Sequence, residues 1–181
     1  MDRPEPFDSW AFVIVLALDC KLVEEQPMAS KQAIDSFLSC RRIAVLGVSR
    51  DPKDFSRSVF RTFVERGYDA VPVNPNGGEA EGRRTARTLA EVAPPVEGVF
   101  LITPPGATLQ AARDCAEAGV KRVWMHRGAG QGAVVPEAVA LCRERGIEVV
   151  DGECPFMFLP EAGWVHGVHR FFRRLGRRLP S

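Results

Sequence analysis

From about Ser30 onward, short apolar runs and helix-spaced apolar stripes take turns along the chain. Ile34, Phe37 and Leu38 recur at helical spacing behind Ser30, whose hydroxyl suits a helix N-cap. The run Ile43–Val48 follows, then a second stripe of Phe55, Val59, Phe60, Phe63 and Val64 with Gly67 placed as C-cap. Ala70–Val73 is a short strand closed by the turn cluster Asn74-Pro75-Asn76-Gly77-Gly78. A short helix is expected over Ala86–Val92, stopped by Pro94-Pro95, and Val96–Thr103 reads as the third strand. Leu109, Ala112, Cys115 and Ala116 mark a helix ending at Gly119, and Val120–Met125 reads as the fourth strand. Pro136–Arg145 is a helix stopped by Gly146, with Ile147–Val150 as the fifth strand.

The strands are continuous apolar runs rather than period-two alternations. A strand buried on both faces needs that composition, and a parallel sheet between two helical layers provides the burial. The pattern therefore predicts an α/β fold: a Rossmann-like, doubly wound parallel sheet of five strands in three layers, in the order 3-2-1-4-5. In such sheets ligands sit outside the carboxyl ends of the strands. Those ends are Gly47-Val48-Ser49-Arg50, Asn74-Pro75, Thr103-Pro104-Pro105, His126-Arg127-Gly128 and Asp151-Gly152-Glu153-Cys154.

The first end carries the strongest chemical signal. An apolar run delivers the chain through a glycine to a helix N-terminus, where backbone N–H groups donate to phosphate. Gly47 lets the backbone approach an anion, Ser49 offers a hydroxyl, and Arg50, Lys53 and Arg57 place positive charge near the helix start. The dinucleotide fingerprint G-x-G-x-x-G is absent; the chain reads Gly47-x-Ser49-x-x-Pro52. The second strand ends in Asn74 where a dinucleotide enzyme offers an acid to the ribose diol. A nucleotide site is predicted, and a dinucleotide dehydrogenase is not.

Composition narrows the setting. With 181 residues, 45% hydrophobic and 26% charged, the chain can bury a core without disulfides. A net charge of +1 gives no general attraction to nucleic acid or to anionic membranes. Cys20, Cys40, Cys115, Cys142 and Cys154 are odd in number and lack C-x-x-C spacing, which fits a reducing, cytoplasmic setting without structural zinc. The apolar run Trp10–Leu18 falls short of the about 20 residues a membrane span needs. Residues 1–28 are expected to be a disordered extension, or to precede a true start at Met28; residues 29–181 form the domain.

At this point the residues become familiar. The stretch RIAVLGVSRDPKDFSRSVFRTFVERGYDAVPVNP strongly resembles the stand-alone CoA-binding proteins, single-domain relatives of the CoA-binding domain of the succinyl-CoA synthetase alpha subunit. The likeness continues through Thr103-Pro104-Pro105, Val123-Trp124-Met125 and Cys154-Pro155-Phe156-Met157-Phe158-Leu159, and spans roughly residues 34–171. It implies a Rossmann-like fold that grips the adenosine-pyrophosphate part of CoA, with Gly47, Ser49, Asn74, Pro75, Thr103 and Pro104 along the groove. Related chains often carry Gln after the Trp-x pair; this one has His126-Arg127, and Arg127 is a candidate phosphate contact. Val48, Arg50, Lys53 and Cys154 complete the candidate site, Cys154 either as a buried small residue or as a thiol facing the ligand.

The expected function is non-catalytic binding of coenzyme A or an acyl-CoA, as carrier, sensor or regulatory module. In related synthetases, thioester formation needs a phosphorylated histidine from another domain and an ATP-grasp unit, and no stretch of these 181 residues resembles either. The alternatives are a CoA-dependent enzyme subunit with a separate catalytic partner, or an NAD(P)-binding regulator. An acyl-CoA enzyme and a second copy of the chain are the candidate partners; nucleic acid and membrane are not. The basic segment Arg170–Arg178 reads as a terminal helix, and Cys154, His166 and His169 as packing residues rather than metal ligands.

Overall fold

A computed structural model of the chain describes residues 30–128 and 130–159. The expected extension 1–28, the basic tail, His166 and His169 lie outside the described residues. Helix α1 (Lys31–Leu38) starts as the sequence predicts, with the Ser30 hydroxyl accepting the Ala33 N–H. It leads into β1 (Arg42–Leu46), α2 (Phe55–Glu65) and β2 (Asp69–Val73). A small hairpin of Glu79–Ala80 and Arg83–Arg84 and a single 3-10 turn, Leu89–Glu91, come next. The chain then alternates through β3 (Gly98–Leu101), α3 (Pro105–Glu117), β4 (Arg122–Met125), α4 (Pro136–Glu144) and β5 (Glu148–Asp151). No helix among the described residues is long and apolar enough to cross a membrane.

The main sheet is five-stranded and parallel throughout, so the Rossmann-like α/β class stands. Alternate residues feed two cores. Ile43, Val45, Phe100, Trp124 and Val150 pack with Phe37 of α1 and Phe60 and Phe63 of α2. Ala44, Leu46, Val99, Leu101, Val123 and Met125 pack with Ala112 and Cys115 of α3 and Val139 and Cys142 of α4. These are the three expected layers: helices, sheet, helices. Helix α1 covers the β4–β5 half of its face, where Ser36 accepts from Arg122 Nε at 2.7 Å and donates to Glu148 at 2.6 Å.

The strand order differs from expectation. Instead of 3-2-1-4-5 it is β2-β1-β3-β4-β5, so β2 is an edge strand and β3 lies on the other side of β1. Pro72 supplies the reason. The Pro72 carbonyl accepts the Ala86 N–H on the flank of β2 away from β1. A residue's N–H and C=O share a side in a parallel ladder, so the missing Pro72 donor faces that same flank and cannot serve a third strand. The neighbouring prediction fails for a related reason. Residues 86–92 do not form a helix, because Ala86 is spent pairing with Pro72 and Asn74 and with Val73 as an isolated bridge. Only the 3-10 turn at Leu89–Glu91 remains of it.

Side-chain packing is tight where α1 meets β3. A β-carbon on Gly98 would sit 3.1 Å from both the Phe37 ring and the Cys40 sulfur. Phe37 itself is wedged edge-on against Trp124, with centroids 5.3 Å apart. Gly98→Val therefore overpacks this core and is expected to destabilise the fold by about 1–3 kcal/mol. Urea denaturation should show a lower midpoint with an unchanged slope.

Candidate functional site

The pocket at the carboxyl ends of β1, β3 and β4 is built from the backbone outward. Gly47 leaves β1 with φ +99°, a conformation glycine adopts without penalty. Its N–H donates to the Val73 carbonyl at 2.9 Å, tying the end of β2 to the turn. On the other side, the Ile102 N–H donates to the Leu46 carbonyl at 2.9 Å. A β-carbon on Gly47 would lie only 2.6 Å from the Ile102 carbonyl oxygen, so the first turn and the end of β3 touch through backbone alone.

The loop into α2 is held by a compact hydrogen-bond set. Asp54 caps the helix, accepting the Ser56 N–H at 2.8 Å and its hydroxyl at 2.6 Å. The Ser56 oxygen in turn accepts the Ser49 N–H at 2.8 Å, and the Ser49 hydroxyl accepts the Asp51 N–H at 3.1 Å. Asn74 Nδ2 donates to the Val48 carbonyl at 2.9 Å and Asn74 Oδ1 accepts the Asn76 N–H. Helix α3 begins opposite, with Pro105 in its first turn; there Thr108 bonds to the Pro104 carbonyl, and the Thr103 and Thr108 hydroxyls lie 2.9 Å apart. The N-termini of α2 and α3 thus flank one opening, and each favours negative charge.

Between them lies a cavity of about 330 Å³, lined by Gly47, Ser49, Asp54, Phe55, Ser56, Ile102, Thr103, Pro104, His126, Arg127, Gly128, Gly132 and Ala133. Of the residues named from sequence, it brings together Gly47, Ser49, Thr103, Pro104 and Arg127. The Arg127 guanidinium occupies the space beside Gly152, where a β-carbon would meet its Nε at 3.0 Å. Six others do not line this cavity. Val48 sends its side chain into the α1–α2 core and offers only its carbonyl, already taken by Asn74. Asn74 is correspondingly a brace between two loops. Pro75, Arg50 and Lys53 are exposed, Pro75 just past β2 and Arg50 passing beside Gly78. Cys154 is half-buried and precedes the 3-10 turn Pro155–Met157, apart from the cavity lining. Arg57, read from sequence as an anion contact, is buried and committed to Glu81 and to the Ser49 and Glu79 carbonyls.

Two lining residues stand outside the binding set named from sequence: Phe55, and His126, which was placed at a strand end without a binding role. Phe55 belongs to the apolar stripe of α2, yet as the first residue of the helix it emerges at the cavity mouth, 46% exposed. His126 follows β4 and is only 6% exposed. Its ring lies near-parallel to Phe55, at 5.3 Å and 26°, and to Phe100, at 6.0 Å and 27°. Neither ring nitrogen has a hydrogen-bond partner of sound geometry among the described residues. Burial pushes the imidazole below its ordinary value of 6.5, opposed by the Glu153 backbone.

Two outcomes are expected. Gly47→Ala forces the β1 turn off the Ile102 carbonyl and strains a positive φ, so it should cost about 1–3 kcal/mol of stability by denaturant unfolding. For His126, the unfolded chain takes up a proton below 6.5 while the fold resists it. The stability this residue confers is therefore complete above 6.5 and lost as pH falls toward the depressed folded value. Unfolding midpoints taken from about pH 7.5 to about pH 5.5 should fall less steeply in His126→Gln than in the parent.

The comparisons with known proteins agree with this architecture. The family described as CoA binding domain matches residues 41–160. The chain is 31% identical to the uncharacterized protein YneT of Bacillus subtilis (strain 168) over 126 residues, 69% of this chain and 90% of that protein. It is 33% identical to the alpha subunit of acetate–CoA ligase (ADP-forming) II of Pyrococcus furiosus over 91 residues, half of this chain but only 20% of the ligase subunit. Among solved structures, a conserved hypothetical protein from Pyrococcus furiosus is similar at 31% identity and TM-score 0.56, covering 63% of this chain and 95% of that one. The match over residues 41–160 runs from β1 past β5 and takes in the glycine turn, the α3 start and the β4 loop, and on it the chain belongs to the CoA binding domain family.

Proposed function

We propose that this cavity binds coenzyme A or an acyl-CoA through its adenosine-diphosphate part, without a reaction catalysed by this chain alone. The observation that carries the reading is the convergence of the Gly47 turn, the N-termini of α2 and α3, and Arg127 on one opening. The positive ends of the two helix dipoles favour a diphosphate, and Arg127 adds a charged fork. Thr103 and Pro104 form the wall at the α3 start. Arg50 and Lys53 are the cations proposed for the additional ribose phosphate that distinguishes CoA, with Asn74 and Pro75 shaping the edge past β2. An acid for a ribose diol is absent there, which supports CoA over NAD.

A second reading has its own support. The similarity to a ligase alpha subunit favours a CoA-binding module that serves a separate catalytic chain. Both readings share the ligand and differ in what happens to it next.

Calorimetric titration with CoA, acetyl-CoA, NAD, NADP and ATP tests the ligand directly. Selective micromolar binding of CoA or its thioester is expected, with a stabilisation of about 2.7 kcal/mol at 100 times the dissociation constant. Arg127→Ala should weaken CoA by about tenfold or more, the loss of one charge-assisted contact. A response to NADP with none to CoA would overturn the proposal.

A further inference from the structure

His126 is the least satisfied polar group of the cavity. It is more than nine-tenths buried, lines the opening between the two helix starts, and has no hydrogen-bond partner of sound geometry for either nitrogen among the described residues. An imidazole left this way costs about 1–3 kcal/mol in lost hydration. Its cover on one face is Phe55, a ring that is itself half in water and rests against Phe156 at 6.0 Å. Phe100, deep in the sheet, lies near-parallel to it at 6.0 Å. The imidazole thus meets one ring held in the core and one at the surface.

The surroundings favour a negative partner. The charged groups around the ring are Asp54 on the α2 cap, Arg127 on its own loop and Glu153 beyond β5. Asp54 is occupied by the Ser56 N–H and hydroxyl, and Glu153 presents its backbone to the ring. Arg127 and the dipole of the α3 start favour an anion, while the Asp54 carboxylate is engaged by Ser56 and the buried Asp151 carboxylate lies near Arg127 at the end of β5.

We propose that His126 is the cavity's proton-linked phosphate contact: Phe55 rests against it, and a phosphate group of the ligand displaces that ring and draws a proton onto the imidazole. The inference rests on the CoA reading above and adds to it. Resisting protonation beside Phe55 and gaining it beside phosphate, His126 makes binding tighten as pH falls. Between the free and bound values of its pKa, affinity should change about tenfold per pH unit, with about one proton taken up per ligand.

The experiment is calorimetry of CoA and of dephospho-CoA near pH 6.5, in two buffers of different ionisation enthalpy. The dephosphorylated form lacks the ribose phosphate that titrates in the same range. The parent should take up about one proton more than His126→Gln for either ligand, with the Gln variant still binding. Imidazole NMR of the parent gives an independent reading: the His126 resonance, assigned by its loss in the variant, should titrate at higher pH with ligand than without. Equal proton uptake in the two proteins, or an unmoved imidazole titration, would overturn the inference while leaving CoA binding intact. Failure of CoA to bind at all would instead end the proposed function. Inorganic diphosphate then decides His126 alone: an upward shift of its titration keeps the inference, and no shift ends it.

Discussion

Everything at the ligand-facing edge depends on one backbone contact, the approach of Gly47 to the Ile102 carbonyl. The chain leaves β1 there with β2 on one side and β3 on the other, so connections to both sides must clear the same point. Only a residue without a β-carbon fits, since that atom would lie 2.6 Å from the oxygen. The same turn donates to Val73 and is followed by the Ser49–Ser56–Asp54 hydrogen bonds that set the start of α2. The junction of β1 with the end of β3 and the start of α2 are thus tied to one close approach.

Most of this was legible because each element carries its own local evidence. Ser30 caps α1 as expected, and the apolar runs are buried on both faces of a parallel sheet. The strand order was the exception. Periodicity says that a segment is a strand but not which strand it adjoins, and two doubly wound orders share the same alternation of elements. Pro72 did hold the answer: a proline whose missing donor faces away from β1 marks an edge. Residues 86–92 misled for the complementary reason, a helical composition whose backbone is drawn into pairing with β2. Tertiary pairing there outweighs helix propensity, which is worth tenths of a kcal/mol per residue.

The site was legible in its backbone and less so in its side chains. Reading the strand ends locates Gly47, Ser49, Thr103, Pro104 and Arg127 around one cavity, because the carboxyl ends of parallel strands must emerge together. It cannot say where a loop residue points. Val48 turns inward to the core and Asn74 spends its amide on Val48, both supporting the turn rather than facing the opening. Phe55 shows the converse. Its place on the α2 stripe argues for burial, but the first position of a helix lies at the end of the core, and there the stripe runs out into the pocket.

The His126 stack gives that exposed position a purpose. A phenyl ring half in water forfeits part of its hydrophobic stabilisation, about 25 cal/mol for each Å² of apolar surface left uncovered. An imidazole whose nitrogens have no partner of sound geometry among the described residues forfeits hydrogen bonds as well. The two losses meet at one contact, Phe55 against His126. They stop being losses once an anion enters, because the phosphate supplies the missing partner and the ring of Phe55 is free to cover apolar parts of the ligand. Phe100, fixed in the sheet by Phe37 and Phe63, keeps the imidazole in place while this exchange happens at Phe55. The fold thereby holds its ligand contact in a neutral, covered form that only a negative group has reason to open.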